Sequence, residues 1–174
     1  MTELELELTF LAKEIPKEVY GVTPKLLVDY YLPEDSDHPK LRIRNKAGKY
    51  EITKKIPISG TDSSAQTEHT IALTKEEFDA LCVCSKRIVE KDRYNVTIAG
   101  YPAEVDVFRG KLEGLVLIDF EFDSYEKQAT FVKPVVCLVD ITQDKWAAGG
   151  VLSASSYDNL KPILDDYGYV KLSL

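Results

Sequence analysis

The segment Glu3-Leu4-Glu5-Leu6-Glu7-Leu8-Thr9-Phe10 alternates acidic and apolar side chains near the start of the 174-residue chain. Side chains two residues apart share a face of a β-strand, so a strand here carries carboxylates on one face and leucines on the other. Like charges at that spacing repel each other unless a counter-charge neutralises them. The pattern therefore predicts a strand whose polar face meets something other than bulk water.

Further stretches alternate in the same way, with charges of different sign. One is basic, Arg42-Ile43-Arg44, and one is mixed, Glu51 to Lys55. Two are acidic, Asp119-Phe120-Glu121-Phe122-Asp123 and Asp140-Ile141-Thr142-Gln143-Asp144. Metal cations can neutralise the acidic faces, and a polyanion can neutralise the basic ones.

Composition places the chain among soluble globular proteins. It is 44% hydrophobic and 29% charged, which suits one domain over residues 1–174. We find no apolar run of membrane-spanning length and no export signal, so we expect a cytoplasmic protein without a membrane partner. The net charge of −7 argues against nucleic acid as a partner. Three cysteines without metal-type spacing fit a reducing compartment.

The periodicity predicts a mainly β protein of the α+β class: an eight-stranded antiparallel closed β-barrel with surface helices. The predicted strands are 2–11, 40–46, 48–57, 67–73, 86–98, 102–109, 113–123 and 135–142. Thr23-Pro24 before Lys25 predicts a short helix. A capping box at Thr74 predicts a second, Ser124 begins a third, and a fourth begins near Ser156. Loops are expected at 33–39 and 59–65.

A barrel with its charged faces turned inward encloses a wet tunnel. Carboxylates from opposite strands would converge there as an all-oxygen site, which suits Mg²⁺ or Mn²⁺ better than zinc. Arginine and lysine side chains on the facing strands would hold phosphate oxygens. The residues predict a metal–oligophosphate site, with Glu5, Glu7, Asp119, Glu121 and Asp140 as the acidic wall and Arg42, Arg44, Lys55 and Arg93 as the basic wall.

Short motifs in collinear order along most of the chain carry a resemblance to one family. They are Glu5-Leu6-Glu7 with Phe10-Leu11, Tyr31-Leu32, Arg42-Ile43-Arg44, Tyr50 to Lys55, Glu68, Lys91-Asp92-Arg93-Tyr94, Asp106-Val107-Phe108, Gly114-Leu115, Asp119-Phe120-Glu121-Phe122 and Asp140-Ile141-Thr142. No single motif is specific, but their order is hard to obtain by chance. The chain resembles the CYTH superfamily of triphosphate tunnel metalloenzymes, which includes inorganic triphosphatases, thiamine triphosphatases and class IV adenylyl cyclases.

The resemblance implies metal-dependent hydrolysis of inorganic triphosphate or of a nucleoside or thiamine triphosphate, with Mg²⁺ or Mn²⁺ as cofactor. Water would attack the terminal phosphorus in line, aided mainly by charge stabilisation. Catalytic roles fall to Glu5, Glu7 and Tyr31, metal binding to the five acidic residues above, and phosphate binding to the basic wall together with Lys145. Two alternatives stay open: a class IV-type adenylyl cyclase, and a non-catalytic oligophosphate- or nucleotide-binding protein.

The chain also departs from the family pattern. Thr9 stands where the family has a signature lysine, and Thr70 where a second glutamate is usual. Asp119 and Asp140 are one methylene shorter than the family's glutamates. Their carboxylates therefore reach less far, which shifts the position of a bound metal. After the last acidic strand only Lys145 offers a nearby cation. These changes bear on substrate and rate more than on fold.

Overall fold

A computed structural model describes residues 2–174 of the protein. Within them the strands are β1 (Thr2–Ala12), β2 (Lys25–Leu32), β3 (Leu41–Lys46), β4 (Lys49–Pro57), β5 (Ala65–Leu73), β6 (Ile88–Ile98), β7 (Tyr101–Phe108), β8 (Val116–Phe122) and β9 (Cys137–Asp140). The helices are α1 (Lys75–Cys82), α2 (Tyr125–Ala129), α3 (Gly149–Leu152) and α4 (Tyr157–Asp166). None of the helices in this part of the chain is long and apolar enough to cross a membrane.

The first eight strands form a closed antiparallel barrel, which confirms the predicted fold. Their order is β5-β4-β3-β2-β6-β7-β8-β1, and the ring closes where β1 pairs again with β5. Along one edge of β1, Leu6 pairs with Ala65 of β5, and further on Phe10 pairs with Asp140 of β9. The short β9 strand therefore extends this edge of β1 beyond the end of β5, so the strand predicted at 135–142 is not one of the eight in the ring and β2 completes the eight instead.

Strand β2 corrects the helix predicted at Lys25. The Thr23-Pro24 signal is local, whereas Leu27, Asp29 and Tyr31 alternate at the two-residue period and are buried. Strand β2 pairs with β3 on one edge and β6 on the other, and these two ladders outweigh the capping signal.

The three other predicted helices are confirmed. Thr74 caps α1 in a capping box with Glu77, Ser124 accepts from the Lys127 amide at the start of α2, and Ser156 caps α4.

Apolar packing covers the barrel outside and at one end. Outward-facing Phe10 and Phe120 lie against Phe131 and are buried, as is Leu6 on the same face of β1. At the end where β1 and β2 finish, Leu11 and Tyr31 belong to one buried cluster with side chains of the C-terminal helices. The polar faces are left to line the interior.

Candidate active site in the barrel interior

A cavity of about 1190 Å³ occupies the barrel interior. All eight barrel strands contribute lining side chains, at alternate positions as a pleated strand requires. Ten of the eleven predicted site residues line this cavity: Glu5, Glu7, Tyr31, Arg42, Arg44, Lys55, Arg93, Asp119, Glu121 and Lys145. The fold therefore brings acidic and basic side chains that are distant in sequence into one enclosed space.

Three carboxylates form the cluster best suited to a cation. One oxygen from each of Glu5, Glu7 and Glu121 lies within 4.8 Å of the others. The register produces this arrangement, because Glu7 pairs with Glu121 across β1 and β8. Oε2 of Glu5 is buried without a hydrogen-bond partner among the described residues.

Burial and neighbouring charges shift the pKa values of this cluster in opposite directions. Burial raises the pKa of Glu5 to about 7, and the neighbouring Glu7 adds to the increase. Burial, Glu104 and Glu7 likewise raise the pKa of Glu121. Burial also opposes ionisation of Glu7, but Lys55 and the cations of β6 outweigh it and lower the pKa of this carboxyl. Hard carboxylate oxygens under mutual repulsion fit a divalent cation such as Mg²⁺ or Mn²⁺.

Lys55 and Arg42 face this cluster from β4 and β3. The Lys55 ammonium donates to Oε1 of Glu5 at 2.7 Å and lies 3.6 Å from Oε2 of Glu7. Arg42 makes a long contact, 3.8 Å, to Glu68 and a hydrogen bond with Tyr31, and its buried Nε has no partner in the described residues. Arg42 therefore retains donor capacity toward an anion in the cavity.

Arg44 is held in a different way. Its Nε and Nη2 donate to the two carboxylate oxygens of Asp29 at 2.6 and 2.7 Å, and both side chains are buried. Burial opposes ionisation of Asp29, but Arg44 overcomes it and lowers the carboxyl pKa to about 2. This bidentate pair fixes the guanidinium and leaves only part of its donor set for a phosphate.

Arg93 lies at the centre of a second charged network. It donates to Oδ1 of Asp106 at 2.7 Å and to Oδ2 at 2.6 Å, and it also pairs with Glu104. Its Nη2 lies 3.5 Å from Asp119, whose pKa is raised well above its usual range by burial and by Glu7 and Asp106. Lys91 pairs with Asp106 as well. The network places two cations beside the acidic cluster.

The structure does not bring Asp140 to the cavity. Its side chain is exposed, and its Oδ1 accepts from the Thr142 amide at 2.9 Å and from the Thr142 hydroxyl at 2.6 Å. Thr142 in turn accepts from the Thr9 amide at 3.0 Å. Asp140 therefore orders the turn beside Thr9. It pairs with the outward-facing Phe10, whereas Asp119 and Glu121 pair with the inward-facing Thr9 and Glu7.

Tyr31 and Lys145 lie toward the end covered by the C-terminal segment. Burial and the charge of Asp29 raise the pKa of the Tyr31 phenol, so it stays protonated and able to donate. Lys145 is exposed at the cavity edge. A Cβ atom on Gly149 would lie 2.0 Å from the Tyr31 hydroxyl oxygen, so only glycine permits α3 to approach this closely.

Four charged residues of the barrel interior have no role predicted from the sequence: Asp29, Lys91, Glu104 and Asp106. The helix predicted from Lys25 gives Asp29 no inward direction, although the alternation of Asp29 with Leu27 and Tyr31 is a strand signal. Lys91 and Asp106 stand in motifs shared with the family, and their alternation with Arg93 and Phe108 indicates the same inward face.

The cavity and its facing charges define an antiparallel tunnel barrel whose interior carries acidic and basic walls. No protein-family model matches the chain. The chain is 30% identical over 147 residues to an inorganic triphosphatase of Nitrosomonas europaea, covering 83% of this chain and 92% of that protein. It is also 34% identical over 79 residues to an inorganic triphosphatase of Acetivibrio thermocellus, covering 45% of this chain and 49% of that protein.

Solved structures have the same fold. A crystal structure of an inorganic triphosphatase matches with a TM-score of 0.63 at 27% identity, covering 87% of this chain and 95% of that one. A candidate adenylate cyclase of Bacillus halodurans matches with a TM-score of 0.55 at 15% identity, covering 99% of this chain and 94% of that one. At this identity the match shows a shared fold alone. The chain belongs to the triphosphate tunnel metalloenzymes of the CYTH superfamily.

Proposed function

We propose that this protein hydrolyses inorganic triphosphate inside the barrel with the help of a divalent cation. The observation that carries the proposal is the carboxylate cluster of Glu5, Glu7 and Glu121, which faces Arg42 and Lys55 across one cavity. The relatives named inorganic triphosphatases support the choice of substrate.

Glu5, Glu7 and Glu121 would hold the cation, with Asp119 beside them. Their fit rests on the oxygen donor set, on the unpartnered Oε2 of Glu5, and on the raised pKa values of Glu5 and Glu121. When bound, Mg²⁺ or Mn²⁺ neutralises negative charge on phosphate oxygens.

The side chains of the chain itself position the substrate. Arg42 offers its unpartnered Nε to phosphate oxygens, and Lys55 places a charge between the acidic cluster and the anion. Arg93 and Arg44, each fixed by a buried aspartate, stabilise charge without having to reorganise during the reaction. Tyr31 presents a protonated hydroxyl at the covered end. Phosphoryl transfer needs this positioning and charge more than a strong base.

The test is phosphate release from inorganic triphosphate, ATP and thiamine triphosphate, each with Mg²⁺ and with Mn²⁺. We expect release from inorganic triphosphate to be fastest and to stop when the metal is chelated. Faster release from ATP or thiamine triphosphate would contradict the proposed substrate, and cyclic AMP production from ATP would replace hydrolysis with cyclase chemistry.

A second candidate is a protein that binds oligophosphate without turnover. Thr9 favours it, because the threonine hydroxyl donates to Oε1 of Glu7 at 3.4 Å where the family has a lysine cation. Calorimetric binding of triphosphate with no phosphate release under either metal would support this candidate over the hydrolase.

A further inference from the structure

Arg87 is a buried arginine just before β6, with 8% of its surface exposed. Its guanidinium donates to groups on two separate segments. On the β2–β3 loop it donates to the carbonyls of Glu34, at 3.3 Å, and Ser36. On the segment around α3, Nη2 donates to the carbonyl of Gly150 at 2.7 Å and Nε to the Ser153 hydroxyl at 3.1 Å.

None of these acceptors is a carboxylate. The Ser153 hydroxyl itself donates to the Gly150 carbonyl at 2.6 Å, which ties the second pair of acceptors together. A buried charge is costly unless its donors are satisfied, so a guanidinium shared by neutral acceptors demands that both segments stay in place. Among side chains, only the planar fork of arginine offers enough fixed donors for this arrangement.

The two segments joined by Arg87 form one end of the cavity. His38, Pro39 and Lys40 line it from the β2–β3 loop, and Gly149, Gly150 and Leu152 line it from α3, whereas Arg87 itself does not. A Cβ on Gly150 would lie 2.1 Å from the Pro39 carbonyl oxygen, so the segments meet in direct backbone contact. We call this surface the end wall.

The backbone of Arg87 is fixed beside Tyr31. The Tyr31 amide donates to the Arg87 carbonyl at 3.0 Å, while the Ser85 hydroxyl accepts from the Arg87 amide at 3.0 Å and donates to the Tyr31 carbonyl at 2.7 Å. The residue that holds the end wall is thus attached to the strand that carries the Tyr31 hydroxyl. Gly149 of the end wall reaches that same hydroxyl.

We propose that Arg87 is a positioning residue for the reaction: it clasps the β2–β3 loop to α3 and so holds the end wall against Tyr31. The inference rests on the proposed triphosphatase function. Loss of the clasp releases α3 from Tyr31 and moves Lys40 and Lys145 relative to the anion. Because small displacements in an active site cost large factors in rate, the effect is felt in turnover although Arg87 touches no substrate.

The experiment compares Arg87→Met and Arg87→Lys with a matched control, Arg109→Met, whose arginine is half exposed and pairs with Asp92 outside the cavity. We expect Arg87→Met to lower kcat/KM for triphosphate by more than about tenfold. Arg87→Lys should recover little of that loss, since an ammonium cannot span both segments. The affinity of the carboxylate cluster for Mn²⁺, measured by calorimetry, should change less than about twofold in every variant, because Arg87 does not contact that cluster.

Hydrogen exchange tells whether loss of Arg87 loosens α3 locally or destabilises the whole fold, and it does so without measuring the reaction. In Arg87→Met the Leu152 and Ser153 amides, which bond to Ala148 and Gly149, should exchange at least about tenfold faster, while the β1 and β8 amides keep their protection. Ser153→Ala, which removes a single acceptor, gives a milder form of the same change if Arg87→Met does not fold.

Wild-type kcat/KM in Arg87→Met, or unchanged exchange at Leu152 and Ser153, would overturn the positioning role. If the wild-type protein releases no phosphate, the proposed function fails instead. In that case calorimetric affinity for triphosphate replaces kcat/KM as the measured quantity, and Arg87→Met should still weaken it.

Discussion

At the scale of single residues, the charges inside the barrel divide into satisfied pairs and groups with unused capacity. Arg44 with Asp29 and Arg93 with Asp106 are bidentate pairs in which the donors and acceptors match. Glu5 and Arg42, by contrast, each bury a polar atom without a partner in the described chain. An unpaired buried polar atom is costly, so these two residues are the ones a bound metal and anion would satisfy.

Replacing Arg42 with alanine tests the anion side of the site. We expect triphosphate affinity to fall by about tenfold or more, and its dependence on salt to weaken, because a charge-assisted contact is lost. Calorimetric titration at low and high salt measures both quantities. Arg109→Ala is the control, since Arg109 lies outside the cavity. Equal affinities in the wild type and Arg42→Ala would remove Arg42 from the phosphate site.

Thr9→Lys tests the departure from the family pattern. Thr9 lines the cavity and pairs in register with Asp119, so a lysine there would reach both the carboxylates and the anion. We expect tighter triphosphate binding or a higher kcat, by up to roughly 1–3 kcal/mol, with Thr9→Ser close to the wild type. Steady-state kinetics measures the effect. A loss of activity in Thr9→Lys would mean that the site is organised around threonine for another ligand.

At the scale of secondary-structure elements, the sequence predicts those strands whose charged and apolar residues alternate without interruption. Strands β1, β3 and β8 are of this kind, and their polar faces point inward as expected. Strand β2 begins with a helix-capping signal, and only its pairing on both edges decides its conformation. Long-range pairing of this kind cannot be deduced from a local pattern.

The same limit applies to the site. The inward direction of Glu5, Glu7 and Glu121 follows from two-residue periodicity, but the pairing of Arg44 with Asp29 depends on which strands are neighbours. Asp140 has the same local alternation as Asp119, yet it lies outside the cavity because β9 pairs with the edge of β1 beyond the closed ring. The Arg87 clasp joins the β2–β3 loop to the short helix α3, and neither segment has a recognisable sequence pattern.

Helix α1 allows a prediction at this scale. Thr74 accepts from the Glu77 amide at 3.2 Å, and the Glu77 carboxylate accepts from the Thr74 amide at 2.7 Å. Thr74→Ala should lower the free energy of unfolding by about 1 kcal/mol, while Thr74→Ser keeps the cap. Urea denaturation measures this change. Because α1 lies outside the barrel, kcat/KM should be unchanged in both variants, and a loss of activity would contradict the separation of α1 from the site.

At the scale of the whole molecule, stability and function share the same charged interior. Burying so many ionised side chains in a barrel of this size is tolerable only because most are paired. The pairs fix the cation positions before a ligand arrives. In the acidic cluster the Lys55 ammonium contacts two of the three carboxylates, Glu5 and Glu7.

Acid should therefore weaken the fold through Asp29. The folded-state pKa of about 2 lies below the unfolded value of 3.8, so this contribution is present above about pH 4 and lost as the pH falls through about 2. It amounts to roughly 2 kcal/mol. The double variant Asp29→Asn with Arg44→Met removes both charges, so its unfolding free energy should depend less steeply on pH in this range. Equal pH dependence in urea denaturation would contradict the assignment.

Metal-dependent turnover tests most directly whether the carboxylates of β1 and β8 hold the cation used to hydrolyse triphosphate. Phosphate release from inorganic triphosphate, with Mg²⁺ and with Mn²⁺, is compared in the wild type, Glu7→Gln and Glu121→Gln, with Glu126→Gln on α2 as the surface control. Glutamine keeps the shape and removes the charge, so both site variants should lose more than about tenfold in metal-dependent turnover while remaining folded. Unchanged turnover in both Glu7→Gln and Glu121→Gln would show that these carboxylates do not hold the catalytic cation.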